Sequence, residues 1–252
     1  SGPTPRGFCA DRVRENGNKE MPRNEACSVT LPGAMSAFEL LANKFSRRGL
    51  SEACQPAIHY AVEGIPVHSR VALDWQLEGN NLSGVARDFY LFNGNVPKVG
   101  QIFSAPMQAA VLRKVSKEGA KAFYTGEVAE DFVSSLRNLG GYHELDDFAQ
   151  VKAEFVSPIS SIYRGYEIIE LPPNGQGATA LLMLKLLEKF DLTKMDPKGA
   201  ERVHLEAEVA KLAYSARDQL IGDPKVSDID IDKFYSDVFV TELLNSIDVE
   251  KV

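Results

Sequence analysis

Leu171-Pro172-Pro173-Asn174-Gly175-Gln176-Gly177 closes a strand-like run, Tyr163 to Glu170, and opens a long apolar helix, Ala178 to Phe190. A turn of this kind at a helix N-terminus presents free backbone N–H groups, where an anion or a polarised carbonyl can be held. It carries no nucleophile, acid or base, so if the protein is an enzyme the reacting group lies elsewhere. Gly175-Gln176-Gly177-Ala178-Thr179-Ala180 also matches the dinucleotide pattern G-x-G-x-x-A, placed between a strand and a helix. Nucleotide binding is set aside on three grounds. Two prolines stand between strand and glycines, no parallel strand ending in an acid follows at the required distance, and the strand reads as antiparallel to its neighbour. The competing structural reading is a tight strand-to-helix turn built from residues that must lack a Cβ.

Working outward, Glu154 to Ile159 and Tyr163 to Leu171 have the β-branched and aromatic content of paired strands joined near Ser160-Ser161, with Pro158 marking an edge. Downstream, Arg202 to Leu220 is predicted as a helix whose Val203, Leu205, Val209, Leu212 and Leu220 mark one buried side, stopped by Gly222-Asp223-Pro224. A short helical stretch follows around Val238 to Ile247. Toward the N-terminus, Met35, Phe38, Leu41 and Phe45 set a helix over Ala34 to Phe45, and a second amphipathic segment covers Leu50 to Val62. Pro106 to Glu118, Gly126 to Asn138 and the short acidic stretch Glu144 to Lys152 add three more. The first 30 residues are turn-rich and charged, an irregular surface segment unable to fold alone. Helices outnumber strands, so the expected class is α+β, a helix-rich fragment supplying outer helical layers and part of a sheet.

With 44% hydrophobic and 25% charged residues, the chain has the composition of an ordinary globular protein. A net charge of −7 argues against nucleic-acid or anionic-membrane partners, because both need a basic face to displace counterions from phosphates. The longest apolar run, Ala178 to Leu187 broken by Lys185, is far short of the roughly 20 residues that span a bilayer. Cys9, Cys27 and Cys54 fit neither a disulfide framework nor a zinc site and favour a reducing compartment. A cytoplasmic location is therefore expected, with a periplasmic or secreted one left open because Ser1-Gly2-Pro3 reads as a fragment or processed start. His204 and Glu208 lie four apart, but a helical zinc site needs two histidines at that spacing, so an ion-pair face with Lys211 and Arg217 is the reading. His59, His68 and His143 are scattered, and no serine sits in a G-x-S-x-G elbow.

Ser28-Val29-Thr30-Leu31-Pro32-Gly33-Ala34, leading into Phe38, is similar to the SVTVPG block of the γ-glutamyltransferase large subunit, and Leu50 to Val67 follows that family's PAI…GFPV pattern. Ala120 to Gly126, Gly140-Gly141, Tyr163-Arg164-Gly165-Tyr166, Leu171 to Gly177, and His204 to Arg217 ending at Gly222-Asp223-Pro224 resemble further blocks in the same order. The resemblance covers nearly the whole chain, read as a single large-subunit domain over residues 1–252. PPNGQG in place of PPPSSGG is closer to a bacterial branch that includes oxamate amidohydrolase-like proteins.

The resemblance implies an N-terminal nucleophile hydrolase, a four-layer αββα sandwich of which this chain is part. It implies a self-cleaving proenzyme in which a threonine heads a small subunit and attacks with its own α-amine as base. No catalytic residue is then expected in this chain, which ends at Asp248-Val249-Glu250-Lys251-Val252, about where the family's large subunit stops. The implied partners are the small subunit carrying that threonine and a small amide or γ-glutamyl substrate, assembled as a dimer of heterodimers; no metal or organic cofactor is implied. Asn174, Gln176 and Gly177 are the candidate substrate-binding residues, since the turn's amides could support an oxyanion or the substrate's polar end. Shaping the helix start is their alternative role. Two departures bear on specificity. The family's carboxylate-gripping arginine corresponds to Ser1, with Arg6 the nearest replacement, so amide hydrolysis is better supported than γ-glutamyl transfer. Ala216 stands before Arg217 where the family has Asp, which leaves helix packing and site support both open. Three readings follow: a γ-glutamyltransferase-like amidohydrolase, a small-amide hydrolase or acylase such as an oxamate amidohydrolase, and an inactive binding protein of the same fold.

Overall fold

The structure, a computed structural model, describes residues 2–225 and 227–247. Ser1 and the terminal segment from Asp248, on which two of the sequence readings fall, lie outside the described residues. The chain divides into two compact units, Ser1–Glu154 and Phe155–Val252.

The first unit begins irregularly, as expected, apart from one short helix, α1 (Ala10–Glu15). Its polar groups are satisfied by residues far along the chain. Leu31 N–H donates to Pro3 O at 2.9 Å, and Arg6 N–H donates to Asp147 Oδ1 at 3.2 Å. His143 is fully buried with Nε2 2.8 Å from Val29 O, so the Nε2–H tautomer donates there and the residue serves as a tie. Asp147 also accepts from Glu144 N–H, closing a capping box at the start of α10 (Leu145–Ala149).

Helix α2 (Ala34–Phe45) has the expected bounds, but of its four spaced apolar residues only Met35 packs on a core; Phe38, Leu41 and Phe45 are exposed. The segment expected as one helix over 50–62 is two, α3 (Gly49–Ala53) and α4 (Gln55–Glu63). Pro56 is the cause: lacking an N–H, it suits only a first helical turn, so the helix restarts at Gln55. Strand β1 (Ile65–Pro66) pairs antiparallel with β2 (Ile102–Phe103), and between them lie α5 (Ser69–Glu78) and α6 (Gly84–Tyr90), which the periodicity did not reveal. Phe103 gathers Trp75, Phe89, Tyr90 and Phe92 with ring centroids 5.1–6.2 Å away. Helices α7 (Pro106–Glu118), α8 (Lys121–Tyr124) and α9 (Glu127–Asn138) complete the unit. Leu31, Ala120, Tyr124, Ala129, Val133 and Phe148 form its main buried cluster.

The second unit opens with a hairpin, β3 (Ile159–Tyr163) and β4 (Tyr166–Glu170), paired antiparallel with Tyr163 opposite Tyr166. The reversal is at Arg164-Gly165, not near Ser160-Ser161, and Glu154 to Pro158 is not strand. Arg164 at φ +51° and Gly165 at φ +81° explain the correction, because a two-residue turn that matches strand twist needs both central residues left-handed. Helix α11 (Gly177–Leu187) buries Ala178, Thr179, Leu181, Leu182 and Leu186 and packs against the hairpin and α12 (Ala200–Leu220). On α12 the buried stripe is Leu205, Val209, Ala213 and Ala216; Val203 and Leu220, expected inside, are exposed. Two short helices, α13 (Ile231–Phe234) and α14 (Asp237–Leu244), bring Phe234 and Val240 onto the same cluster.

Tyr124 offers a test of the first unit. Its buried hydroxyl donates to Pro32 O at 2.8 Å and accepts from Ser36 N–H at 3.1 Å. Tyr124→Phe removes both bonds and is expected to cost about 1–3 kcal/mol of unfolding free energy, read from urea denaturation.

Candidate functional site

The turn predicted to carry the site lies between β4 and α11, with Asn174 and Gln176 exposed and Gly177 half-buried. α11 makes its first backbone bond from Ala180 N–H to Gln176 O. The N–H groups of Gly177, Ala178 and Thr179 thus belong to a first turn that has no intrahelical acceptor for them. The two glycines of the turn differ. A Cβ on Gly177 would stand 2.8 Å from Glu170 Cβ, 2.8 Å from Glu170 Oε2 and 3.0 Å from Leu171 O, so the helix can begin this close to the strand only without a side chain. A Cβ on Gly175 would meet nothing within 4 Å, and its φ is not left-handed. Of the two, only Gly177 is required by the tight turn.

Three groups around the turn escaped the sequence reading. Glu170, the last residue of β4, sets its carboxylate against Gly177. Tyr235 donates its hydroxyl to Ala178 O at 3.0 Å; burial, and then the Glu170 charge, push its phenol far above the usual range. Arg217, on α12, donates from Nη1 to Gln176 Oε1 at 3.3 Å, across 41 positions of sequence. The same guanidinium donates from Nε and Nη2 to Asp218 Oδ1 at 2.8 and 2.5 Å and lies 4.6 Å from the Tyr214 ring centroid. The sequence places Arg217 on a charged helix face and leaves site support open for its pair with Ala216, but nothing in it signals Gln176 as its partner across the fold.

The residue before it is settled as packing. Ala216 is buried in the core cluster, and the guanidinium finds its acid one position after it, in Asp218. Glu208 pairs with Lys211 at 2.8 Å, as an ion-pair face requires. Among the described residues no cluster of three His, Cys, Asp or Glu could hold a metal ion. Thr179, in the first turn of α11, is buried and its hydroxyl finds no hydrogen-bond partner among the described residues. Arg6, in the first unit, has an exposed side chain and engages Asp147 through its backbone.

Gly177→Ala is expected to destabilise by about 1–3 kcal/mol, the usual cost of overpacking, whereas Gly175→Ala should be neutral or slightly stabilising, within about 1 kcal/mol. Equal losses in calorimetry would contradict this asymmetry. Tyr235 adds a pH dependence. Because its folded phenol titrates above the unfolded one, its contribution is whole below the ordinary value of about 10 and is lost as pH rises through the folded value. Denaturation midpoints measured upward from about pH 9 should fall less steeply in Tyr235→Phe than in the parent.

The chain matches the family described as gamma-glutamyltranspeptidase over residues 1–252. It is 31% identical over 222 residues to the glutathione hydrolase-like YwrD proenzyme of Bacillus subtilis, which covers 87% of this chain and 42% of that protein. The chain spans about two fifths of the length of the curated relatives it matches, 41–42% for the first three. Among solved structures, the cephalosporin acylase of Bacillus halodurans superposes with a TM-score of 0.86 at 29% identity, covering 98% of this chain and 48% of the acylase. The gamma-glutamyltranspeptidase of Helicobacter pylori gives 0.86 at 23% identity, covering 100% of this chain and 74% of that one. The helix-rich α+β architecture is therefore part of the fold that these N-terminal nucleophile hydrolases share, and the chain belongs to the gamma-glutamyltranspeptidase family.

Proposed function

We propose that this chain is the large-subunit portion of a γ-glutamyltransferase-like amidohydrolase, active only with a small subunit that begins with threonine. That threonine hydroxyl attacks the amide carbonyl, the α-amine takes its proton, the leaving amine departs protonated, and water or a second amine then releases the acyl group. The observation that carries the reading is the family match along all 252 residues of a chain whose glycine-rich turn has no reacting group of its own. The relative's name, a proenzyme, supports a chain that is cut in two. Asn174, Gln176 and Gly177 supply pocket wall in this reading, and the whole assembles as a dimer of heterodimers in the cytoplasm.

A small-amide hydrolase or acylase, such as an oxamate amidohydrolase, is the second reading within the class. It is supported by the 29% identity to the structure named a cephalosporin acylase.

Purified full-length gene product should resolve by mass spectrometry into two chains, the second starting with threonine. Incubation with γ-glutamyl anilide and with oxamate then separates the two readings by which donor is turned over. Turnover by residues 1–252 alone, or a gene product with no threonine-led companion, would overturn the proposal.

A further inference from the structure

The Gln176 side chain is exposed, yet one end of its amide is held. A guanidinium has five donors and no acceptor, so the atom facing Arg217 Nη1 at 3.3 Å has to be the oxygen of the amide. The NH2 group, on the opposite branch of the same plane, faces away and has no partner among the described residues. Arg217 is itself fixed on both sides, by Asp218 Oδ1 and by the face of Tyr214, and its charge is already countered there. What reaches the turn is therefore orientation with little net charge. Glu170 beside Gly177 adds a negative group on the same turn, which further disfavours an anion there.

We infer that Arg217 is a positioning residue: it fixes the Gln176 amide with its NH2 outward, as a donor for an uncharged carbonyl oxygen of the substrate's acyl or amide group. The inference rests on the proposed role of the turn as pocket wall and adds to it the residue that aims the turn and the kind of atom it receives. With Oε1 facing the guanidinium, rotation of the side chain would forfeit a hydrogen bond to a charged donor. Without Arg217 the amide is free to turn its oxygen toward the substrate or to swing into solvent, so the donor is lost to the substrate's carbonyl. Lysine at 217 keeps a donor but loses the planar fork that stacks on Tyr214 while bonding to both sides.

The test is a double-mutant cycle in the matured two-subunit enzyme, using whichever of γ-glutamyl anilide and oxamate it turns over. Gln176→Ala and Arg217→Ala are each expected to raise KM about five-fold with kcat unchanged, the size of one hydrogen bond between uncharged partners. The double variant should be no worse than either single one, because both act through the same amide. Arg217→Lys should recover part of the loss. If the two effects multiply, or if Arg217→Ala leaves KM intact while Gln176→Ala raises it, Arg217 does not position the amide. A parent-like KM in Gln176→Ala overturns instead the reading of the turn as substrate wall. Thermal midpoints of all variants show which ones fold, and where Arg217→Ala does not, Arg217→Lys paired with Gln176→Ala closes the same cycle.

Discussion

The close approach of Gly177 to the end of strand β4 is the constraint on which the second unit is built. The helix starts within van der Waals reach of Glu170 and Leu171 because position 177 has no side chain to hold them apart. That proximity lets a helix that is apolar nearly all round cover the hairpin on one side and α12 on another, so Ala178, Leu182 and Leu186 meet Leu205, Val209 and Ala213 in one cluster. Small residues on α12, Ala213 and Ala216, are what allow two helices of this bulk to come together. The turn that results is short, closely packed at its helical end and open at Gly175.

The same proximity sets the electrostatics of the turn. A helix N-terminus usually invites an anion. Here Glu170 is already beside it, Arg217 is compensated by Asp218, and Tyr235 caps the Ala178 carbonyl from the buried side as a neutral phenol. Oriented dipoles dominate what remains, and these suit a polarised carbonyl better than a carboxylate. Such an environment complements the proposed reaction, in which another polypeptide supplies the attacking group: in that reading the wall receives and aligns an acyl group and needs no acid or base.

In the first unit, single polar contacts do the organising that hydrophobic patterning does elsewhere. The irregular segment up to Leu31 has few apolar residues to bury, so its path is fixed by His143 against Val29 O, by Asp147 against Arg6 N–H and by the Pro3–Leu31 backbone bond. The first two of these contacts join positions more than a hundred residues apart, and none of the three leaves a periodic trace in the sequence.

That difference marks the boundary between what could be read and what could not. The sequence by itself determined the elements whose cause is local: α2 from its 3.6-residue spacing, α7 from the Gly119 that stops it, the strand–turn–helix around PPNGQG from its prolines and glycines, and the family from ordered blocks along the chain. It misplaced the hairpin reversal because serines at 160–161 resemble turn formers, whereas the left-handed pair Arg164-Gly165 is decided by how two strands twist against each other. It also marked Val203 and Leu220 as buried, since periodicity shows a helix face without showing how much of it a neighbour covers. Only the tertiary structure brought Arg217 and Tyr235 to the turn, because hydrogen bonds and charges act over a few ångströms in space and are indifferent to the 41 positions of chain that separate Gln176 from Arg217.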